Sequence, residues 1–302
     1  MSRLPRFGRV STFALILASG FVASAQQLPA ALIADPPIDK AHPASMESFQ
    51  IPSHGEPMNA IAYLAAGAGP HPTVFVLHGF PGNEKNLDLA QAIRRAGWNA
   101  IYFNYRGSWG TPGSFSFTHA IEDTQAAIAW LREPANATRL HVDPKRIALV
   151  GHSMGGFMAA YAGSHDPAIL GTGLISAANF HDWAGGDLQP EQETANRHRL
   201  IKSLVDNDLL PLAGCTGEGL ADEMLLHHKE WDFVTYASLF GQRPLLLITS
   251  DDGLAPGATH LAAAASKLGN SRVTEAHFAT DHAYSDQRIA LEAAVLNWLA
   301  TL

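Results

Sequence analysis

Short apolar runs alternate with amphipathic stretches along most of the chain. Runs of strand length occur at residues 72–77, 99–103, 146–150, 170–176, 244–249 and 273–278. Stretches with helical periodicity lie between or after them, at residues 85–96, 119–132, 156–163 and 284–302. Continuous apolar runs are typical of strands buried on both faces, as in a parallel sheet covered by helices. The alternation therefore predicts an α/β fold with a doubly wound, mostly parallel sheet.

The segment before the first parallel strand has a different character. Residues 26–45 are rich in proline and alanine and predict an extended lead-in without a core of its own. Two strands at residues 47–52 and 58–64, joined by a turn at residues 53–55, then predict an antiparallel start to the sheet. We expect residues 46–302 to form one domain.

One long stretch interrupts the alternation. Between residues 179 and 242 the pattern contains no strand, only helical pieces at residues 191–206, 219–228 and 233–240. An insertion of this length predicts a small helical cap, at about residues 180–242, over one edge of the sheet. Its aromatic residues are candidates for lining a pocket, with burial in a core as the alternative; they are Trp183, Trp231 and Phe240.

Composition narrows the class of protein. The chain has 302 residues, of which 47% are apolar and 16% charged, so it can bury one large core. Its net charge of −8 gives no reason to expect nucleic acid as a partner. The single cysteine, Cys215, excludes an intramolecular disulfide, and we expect it to be a loop thiol. His227 and His228 are adjacent but have no carboxylate or cysteine at zinc-ligand spacing, so we expect a solvent-facing helix and no metal.

The first 25 residues have the pattern of a cleavable signal peptide. Arg3, Arg6 and Arg9 form a basic region, an apolar stretch follows at residues 11–23, and an Ala-Ser-Ala sequence then offers a cleavage site at residues 23–25. The apolar stretch is short for a bilayer span, which favours cleavage over a stable membrane anchor. We expect a periplasmic or secreted protein.

The strongest chemical motif is the pentapeptide Gly-His-Ser-Met-Gly at residues 151–155. It follows the apolar strand 146–150 and precedes a helix of small residues. A Gly-x-Ser-x-Gly between a strand and a helix predicts a nucleophile elbow, with Ser153 exposed at the carboxyl edge of the sheet. The neighbouring His152 is interpreted as supporting the turn. His277, within the last strand, is interpreted as packed.

A serine nucleophile needs a base and an acid that orients the base. Asp251 and Asp252 directly follow the strand at residues 244–249, and His282 follows the strand at residues 273–278. All three positions fall at the same edge of the sheet as Ser153. The chain order serine, aspartate, histidine is the order that this kind of fold requires.

From residue 58 to residue 302 the chain resembles the α/β-hydrolase family. The resemblance rests on His-Gly-Phe-Pro-Gly at residues 78–82, the elbow, Asp-Gly-Leu-Ala-Pro at residues 252–256, and Asp-His at residues 281–282. Within the family the chain is similar to serine esterases and to the hydrolase domains of prolyl-oligopeptidase-type enzymes. This implies Asp252 as the acid, because such enzymes often place it four residues before a proline. Asp251 and, more remotely, Asp182 are the alternatives.

Acyl transfer also needs donors for the oxyanion that forms at the attacked carbonyl. We expect the N–H of Met154, which follows the nucleophile, to be one donor. The resemblance implies the N–H of Phe80 as the second. Arg106, after the strand at residues 99–103, is either a site for a substrate carboxylate or part of a structural ion pair.

These features predict an exported serine hydrolase that cleaves small-molecule carboxylic esters through an acyl-enzyme, with no metal or organic cofactor. A peptidase or amidase of the prolyl-oligopeptidase type is the first alternative, although no β-propeller is expected before the hydrolase domain. A hydrolase fold that binds without catalysing is the second. The natural substrate and the oligomeric state are not predicted.

Overall fold

The computed structural model describes residues 28–187 and 189–302. The expected signal peptide, at residues 1–25, lies outside the described residues. Among the helices that are described, none is long and apolar enough to cross a bilayer.

Eight strands form a single sheet in the order β1-β2-β4-β3-β5-β6-β7-β8. They are β1 (Ser45–Ser53), β2 (Glu56–Leu64), β3 (His71–Leu77), β4 (Asn99–Phe103), β5 (Val142–His152), β6 (Thr172–Ile175), β7 (Leu245–Ser250) and β8 (Val273–Phe278). The β1–β2 and β2–β4 pairs are antiparallel, and all the others are parallel. The predicted fold class is confirmed.

A tight hairpin joins β1 to β2. Ser53 pairs with Glu56 across the turn, and the two residues between them, His54 and Gly55, have φ values of 48° and 90°. Positive φ at both central positions is the signature of the type I′ turn, whose twist matches that of the flanking strands.

Helices cover both faces of the sheet. The helices outside the cap are α1 (Ala30–Ile33), α2 (Leu87–Arg95), α3 (Phe117–Arg132), α4 (Pro134–Arg139), α5 (Met154–His165), α10 (Ala255–Lys267) and α11 (Arg288–Leu299). Side chains of α2 and α11 pack with Val74 and Val76 of β3, while side chains of α3, α5 and α10 pack with Phe75 and Leu77. Alternate residues of one strand thus enter two separate cores, as the period of a strand requires.

The chain between β6 and β7 contains three helices that form the cap: α6 (Phe180–Ala184), α7 (Pro190–Asp206) and α8 (Gly217–His227). The cap is attached to the main domain by backbone bonds of Pro211 and Ala213 and by the side chain of Glu223 of α8. Its carboxylate accepts hydrogen bonds from the N–H groups of Phe117 (3.0 Å) and Thr118 (2.8 Å), at the start of α3. A carboxylate there satisfies unpaired donors and complements the helix dipole.

The two ends of the cap are bonded to each other. Asn179 donates to Asp232 (2.9 Å) and accepts from the N–H of Phe233 (3.1 Å). Asn179 precedes α6, and Asp232 and Phe233 follow α8, so these bonds close the neck of the insertion.

The structure corrects several sequence predictions. The last predicted cap helix, at residues 233–240, is a 3₁₀ helix (Phe233–Tyr236) followed by α9 (Ala237–Phe240), and both pack with α5 and α10 of the main domain. The final helix begins at Arg288 instead of residue 284. His277 is not packed but exposed, on a strand that forms the edge of the sheet.

Candidate active site

Ser153 sits in a strained turn between β5 and α5. Its φ of 58° and ψ of −121° are unfavourable for a residue with a side chain. A Cβ added to Gly151 would lie 1.9 Å from the carbonyl oxygen of Gly155, and one added to Gly155 would lie 2.1 Å from the carbonyl oxygen of Leu77. Only glycine therefore fits on either side of the serine, which explains the spacing of the motif.

Backbone hydrogen bonds hold the elbow in place. The N–H of Ser153 donates to the carbonyl oxygen of Ile175 (2.9 Å), and its own carbonyl oxygen accepts from the N–H of Ala178 (3.0 Å). The strain at the serine is thus balanced by bonds to the end of β6 and the residues that follow it.

The structure brings His282 and Asp252 into direct contact. Nδ1 of His282 lies 2.7 Å from Oδ2 of Asp252, and because a carboxylate only accepts, the ring donates. Nε2 is thereby left as the acceptor that a base for Ser153 requires. The side chain of Asp252 is 5% exposed and that of His282 is 42% exposed.

The environment of Asp252 keeps its carboxylate ionised. Burial opposes ionisation, but the bond from His282 and the bond from the N–H of Leu254 (2.9 Å) outweigh it. The nearby hydroxyls of Ser176 and Ser250 add to this effect, and the pKa of Asp252 is held well below its ordinary value.

The two alternative acids are engaged elsewhere. Asp251 faces solvent and lies 3.2 Å from Nε2 of His277. Asp182 is on α6 in the cap, where it accepts a hydrogen bond from Asn179 (3.2 Å). Of these acids, Asp252 is the one that contacts the ring of His282.

Ser153, Asp252 and His282 all line one cavity of about 810 Å³ between the sheet edge and the cap. We call it the central cavity. Among the described residues, the hydroxyl of Ser153 has no hydrogen-bond partner, so its contact with His282 is not formed here. Hydrogen bonds of this kind are often long in unliganded enzymes and tighten when substrate binds.

His152 has a function that the sequence interpretation missed. Its Nε2 donates a hydrogen bond of 2.7 Å to the carbonyl oxygen of His282, and the two rings lie 4.6 Å apart. Burial, aided by the proximity of His282, lowers the pKa of His152 to about 3, so the ring is neutral near pH 7. The residue next to Ser153 therefore holds the loop that carries His282, a contact across 130 positions of sequence.

The N–H groups of Phe80 and Met154, the two predicted oxyanion donors, lie next to the serine and donate to no acceptor in the part of the chain that the structure describes. Met154 is the first residue of α5, where an N–H has no acceptor within the helix. Among the described residues, the N–H of Phe80 donates no hydrogen bond. A Cβ added to Gly79 would lie 2.9 Å from the Cβ of Ser153, so the chain before Phe80 passes directly against the nucleophile.

A half-buried and a buried side chain bond to the backbone of this loop. The indole of Trp109 donates to the carbonyl oxygen of Pro81 (2.7 Å), and the hydroxyl of Tyr105 donates to that of His78 (3.2 Å). These bonds fix the backbone on both sides of Phe80.

The cap forms the other wall of the central cavity. Trp183 of α6 packs edge-on against Phe80, with ring centroids 5.9 Å apart, and Asp182 and Arg199 place opposite charges on the lining. Trp231 and Phe240, the other candidate liners, are buried in the core instead. Of the three aromatic candidates, Trp183 is thus the one that lines the central cavity.

Arg106 is part of a structural ion pair. Its side-chain Nε donates to Asp123 (2.6 Å), and its backbone N–H donates to the same carboxylate (2.7 Å). Its guanidinium also contacts Glu122. Because the side chain is buried against these acids, it is not free to bind a substrate carboxylate.

Comparison with known proteins supports the fold. A family model described as BD-FAE matches residues 61–174, which include Ser153 but neither Asp252 nor His282. The uncharacterised protein Rv2307c of Mycobacterium tuberculosis is 34% identical over 110 residues, which cover 36% of this chain and 37% of that protein. The uncharacterised protein YfhR of Escherichia coli is 32% identical over 113 residues, covering 37% of this chain and 34% of that protein. The matches thus span about a third of these relatives.

Solved structures match over most of the chain. The metagenomic carboxylesterase EstE1 has a TM-score of 0.59 and 21% identity, covering 86% of this chain and 90% of its own. The esterase Pf2001 of Pyrococcus furiosus has a TM-score of 0.62 and 16% identity, covering 89% and 99%. The acylaminoacyl peptidase of Pyrococcus horikoshii has a TM-score of 0.61 and 18% identity, covering 85% of this chain and 41% of its own. Together with the sheet order, these matches show that the chain has the α/β-hydrolase fold.

Proposed function

We propose that this protein is a serine hydrolase that cleaves carboxylic esters through an acyl-enzyme. The observation that carries the proposal is the 2.7 Å bond between His282 and Asp252, at the edge of a cavity that also contains Ser153 on its elbow. Two unpaired amides, at Phe80 and Met154, stand beside the same serine.

In the first half of the reaction, Nε2 of His282 removes the proton of Ser153 while the hydroxyl oxygen attacks the ester carbonyl. Asp252 holds the ring in the required tautomer and stabilises the imidazolium that forms. The N–H groups of Phe80 and Met154 donate to the oxyanion. His282 then gives its proton to the leaving alcohol, and the acyl group stays on the serine.

In the second half, water enters the central cavity and His282 removes one of its protons. The resulting attack on the acyl-enzyme passes through the same oxyanion site and releases the carboxylic acid. The proton returns from His282 to the oxygen of Ser153, which restores the starting state.

The walls of the central cavity favour substrates of moderate size with an apolar group. Phe80 and Trp183 form an aromatic wall beside the serine, while Asp182 and Arg199 make another part of the lining polar. We propose small-molecule esters, with an apolar acyl or alcohol group against the two aromatic rings.

The proposal is tested by hydrolysis of p-nitrophenyl butyrate and by labelling with a fluorophosphonate probe. Ser153→Ala should lower kcat/KM by about 10³-fold or more and abolish labelling. Ser238→Ala, at an exposed serine, is the matched control and should behave as wild type. Activity and labelling that persist in Ser153→Ala would refute the assignment.

Comparison of ester hydrolysis, amide hydrolysis and probe labelling separates the alternative functions. The alignment with an acylaminoacyl peptidase makes amide hydrolysis the second candidate, since a triad of this kind serves both reactions. An aminoacyl p-nitroanilide cleaved faster than the ester would favour a peptidase or amidase. A wild-type protein that neither reacts with the probe nor turns over either substrate would favour a binding protein.

We also propose that the protein is exported, on the basis of the sequence pattern of residues 1–25. Mass spectrometry of the protein recovered from the periplasm or the medium should find Gln26 as the first residue. A chain that retains residues 1–25 and stays in the cytoplasm would contradict export.

A further inference from the structure

Three side chains that can bind a metal ion meet on the cap, outside the central cavity. His181 belongs to α6, Asp187 to the loop after it, and His228 directly follows α8. One ligand atom from each lies within 4.8 Å of the other two. Ligands of a tetrahedral zinc ion lie about 3.4 Å apart, given bonds of about 2.0–2.1 Å. Small side-chain rotations would therefore close this cluster around an ion.

The ring of His228 is oriented as a metal ligand usually is. Its Nδ1 donates a hydrogen bond of 2.7 Å to the carbonyl oxygen of Leu225. This fixes the tautomer and leaves the lone pair of Nε2 available. A ligating histidine almost always makes such a bond with its other nitrogen, because it orients the ring and raises its basicity.

His181 has a buried ring nitrogen without a partner. Among the described residues, its Nδ1 has no hydrogen bond, although water does not reach it. Its ring is nearly parallel to that of His228, at an interplanar angle of 14° and a centroid distance of 5.7 Å. A buried polar atom without a partner is rare and calls for an explanation, one of which is an ion.

The loop after α6 is folded so that Asp187 returns to His181. The N–H of Gly186 donates to the carbonyl oxygen of His181 (2.8 Å). Gly185 and Gly186 have φ values of 107° and 69°, which suit glycine. Two successive left-handed residues reverse the chain just before the carboxylate.

The donor set defines the class of metal. Two imidazoles and one carboxylate suit zinc and similar transition ions, whereas calcium and magnesium prefer oxygen ligands alone. The other charged groups around the cluster are Glu193, Arg197 and Lys229. Arg197 is bound to Asp222 (2.5 and 2.8 Å), and Lys229 is exposed to solvent. The nearby cations are thus either neutralised or hydrated.

We propose that His181, Asp187 and His228 form a binding site for a divalent transition-metal ion of the zinc class, with a fourth position open to water. The ion would join α6 to α8. Because α6 also carries Asp182 and Trp183, it would fix one wall of the central cavity. The expectation of no metal considered only residues close in sequence, and the solvent-facing interpretation of His228 was wrong, since its ring is half-buried.

The test is zinc binding by the whole protein, with any affinity tag removed and with bound metal stripped by a chelator. Titration calorimetry with ZnCl₂ should give one ion per chain for wild type. His228→Ala and Asp187→Asn should each weaken binding at least tenfold. His227→Ala is the matched control, because that ring stacks on Trp231 (4.7 Å) and should leave binding unchanged.

A second measurement distinguishes a loss of zinc binding from a loss of folding. Zinc, but not calcium or magnesium, should raise the Tm of wild type and of His227→Ala, since an ion that binds only the folded state stabilises it. The Tm of Asp187→Asn in chelator should equal that of wild type, because Asp187 is exposed. Absence of zinc binding up to 100 μM, or equal binding by wild type and Asp187→Asn, would overturn the site.

Discussion

The imidazole of His152 donates a 2.7 Å hydrogen bond to the backbone carbonyl of His282. The residue that precedes Ser153 thus holds the backbone of His282, the proposed base, while Asp252 holds its ring. We infer that His152 is a positioning residue, because its neutral, buried ring bonds to the backbone of His282 and does not itself line the central cavity.

Removal of this bond should slow the chemical step. We expect His152→Ala to lower kcat for p-nitrophenyl butyrate by about tenfold or more, with KM changed less than about twofold, because a misplaced base impairs proton transfer more than binding. His152→Gln keeps an N–H donor and should recover part of the loss. Equal kcat values for wild type and His152→Ala would show that the bond is not needed.

Asp252 and the adjacent Asp251 form a matched pair for testing the acid. Asp252→Asn should lower kcat by about 10³-fold or more, because the amide cannot stabilise the imidazolium and favours the wrong tautomer. Asp251→Asn should stay within about twofold of wild type, since that carboxylate faces solvent beside His277. Steady-state kinetics of the two variants decides which aspartate is the acid. Similar losses of kcat in both variants would reject the assignment of Asp252 as the acid.

We expect Glu223 to stabilise the contact between the cap and the main domain. Its carboxylate caps the start of α3, so we expect Glu223→Ala to lower the free energy of unfolding by about 1–2 kcal/mol in urea. Glu218→Ala, at an exposed position on the same helix, should cost no more than about 0.5 kcal/mol. An equal effect of the two variants would mean that the capping bonds contribute nothing.

Glu292 should make stability depend on pH. Burial, together with the nearby carboxylate of Asp88, raises the pKa of Glu292 from 4.5 to about 7. The folded state therefore binds more protons than the unfolded state between about pH 4.5 and pH 7. Across this window, the contribution of Glu292 to stability falls as pH rises.

The substitution Glu292→Gln isolates this effect. At about pH 4 the variant should match wild type, since Glu292 is then mostly protonated in both the folded and the unfolded state, whereas at pH 8 the variant should be more stable by roughly 1–2 kcal/mol. Urea unfolding at the two pH values measures the difference. A variant less stable than wild type at pH 8 would contradict the raised pKa.

Much of the fold could be predicted because its signals are local. The apolar runs of β3, β4, β5 and β7 are buried on both faces, which gives each strand a continuous pattern. The elbow is equally local, since the close approaches at Gly151 and Gly155 require glycine. The rule that parallel strands end at one edge predicted His282 and the pair Asp251 and Asp252, and the family resemblance then selected Asp252.

The features that were missed depend on contacts between distant segments. The carbonyl bond of His152 and the cluster around His181 are each defined by partners that no spacing reveals. For Arg106, the contacts with Asp123 and Glu122 decide between the two alternatives that the sequence left open. Residues 233–240 have the composition of a cap helix, but their aromatic side chains pack between α5 and α10. Exposure of His277 follows from the position of β8 at the sheet edge, which is a property of the whole topology.

The closed neck at Asn179 has a consequence for how such a protein can diversify. Because Asn179 bonds to Asp232 and Phe233, the entry and exit of the insertion meet at one point, independent of the length of chain between them. Residues 180–231 can then change in length or composition without separating β6 from β7, as long as the bonds of Ala213 and Glu223 to the main domain are kept. Selectivity for new compounds could evolve there while the reactive serine keeps its backbone support.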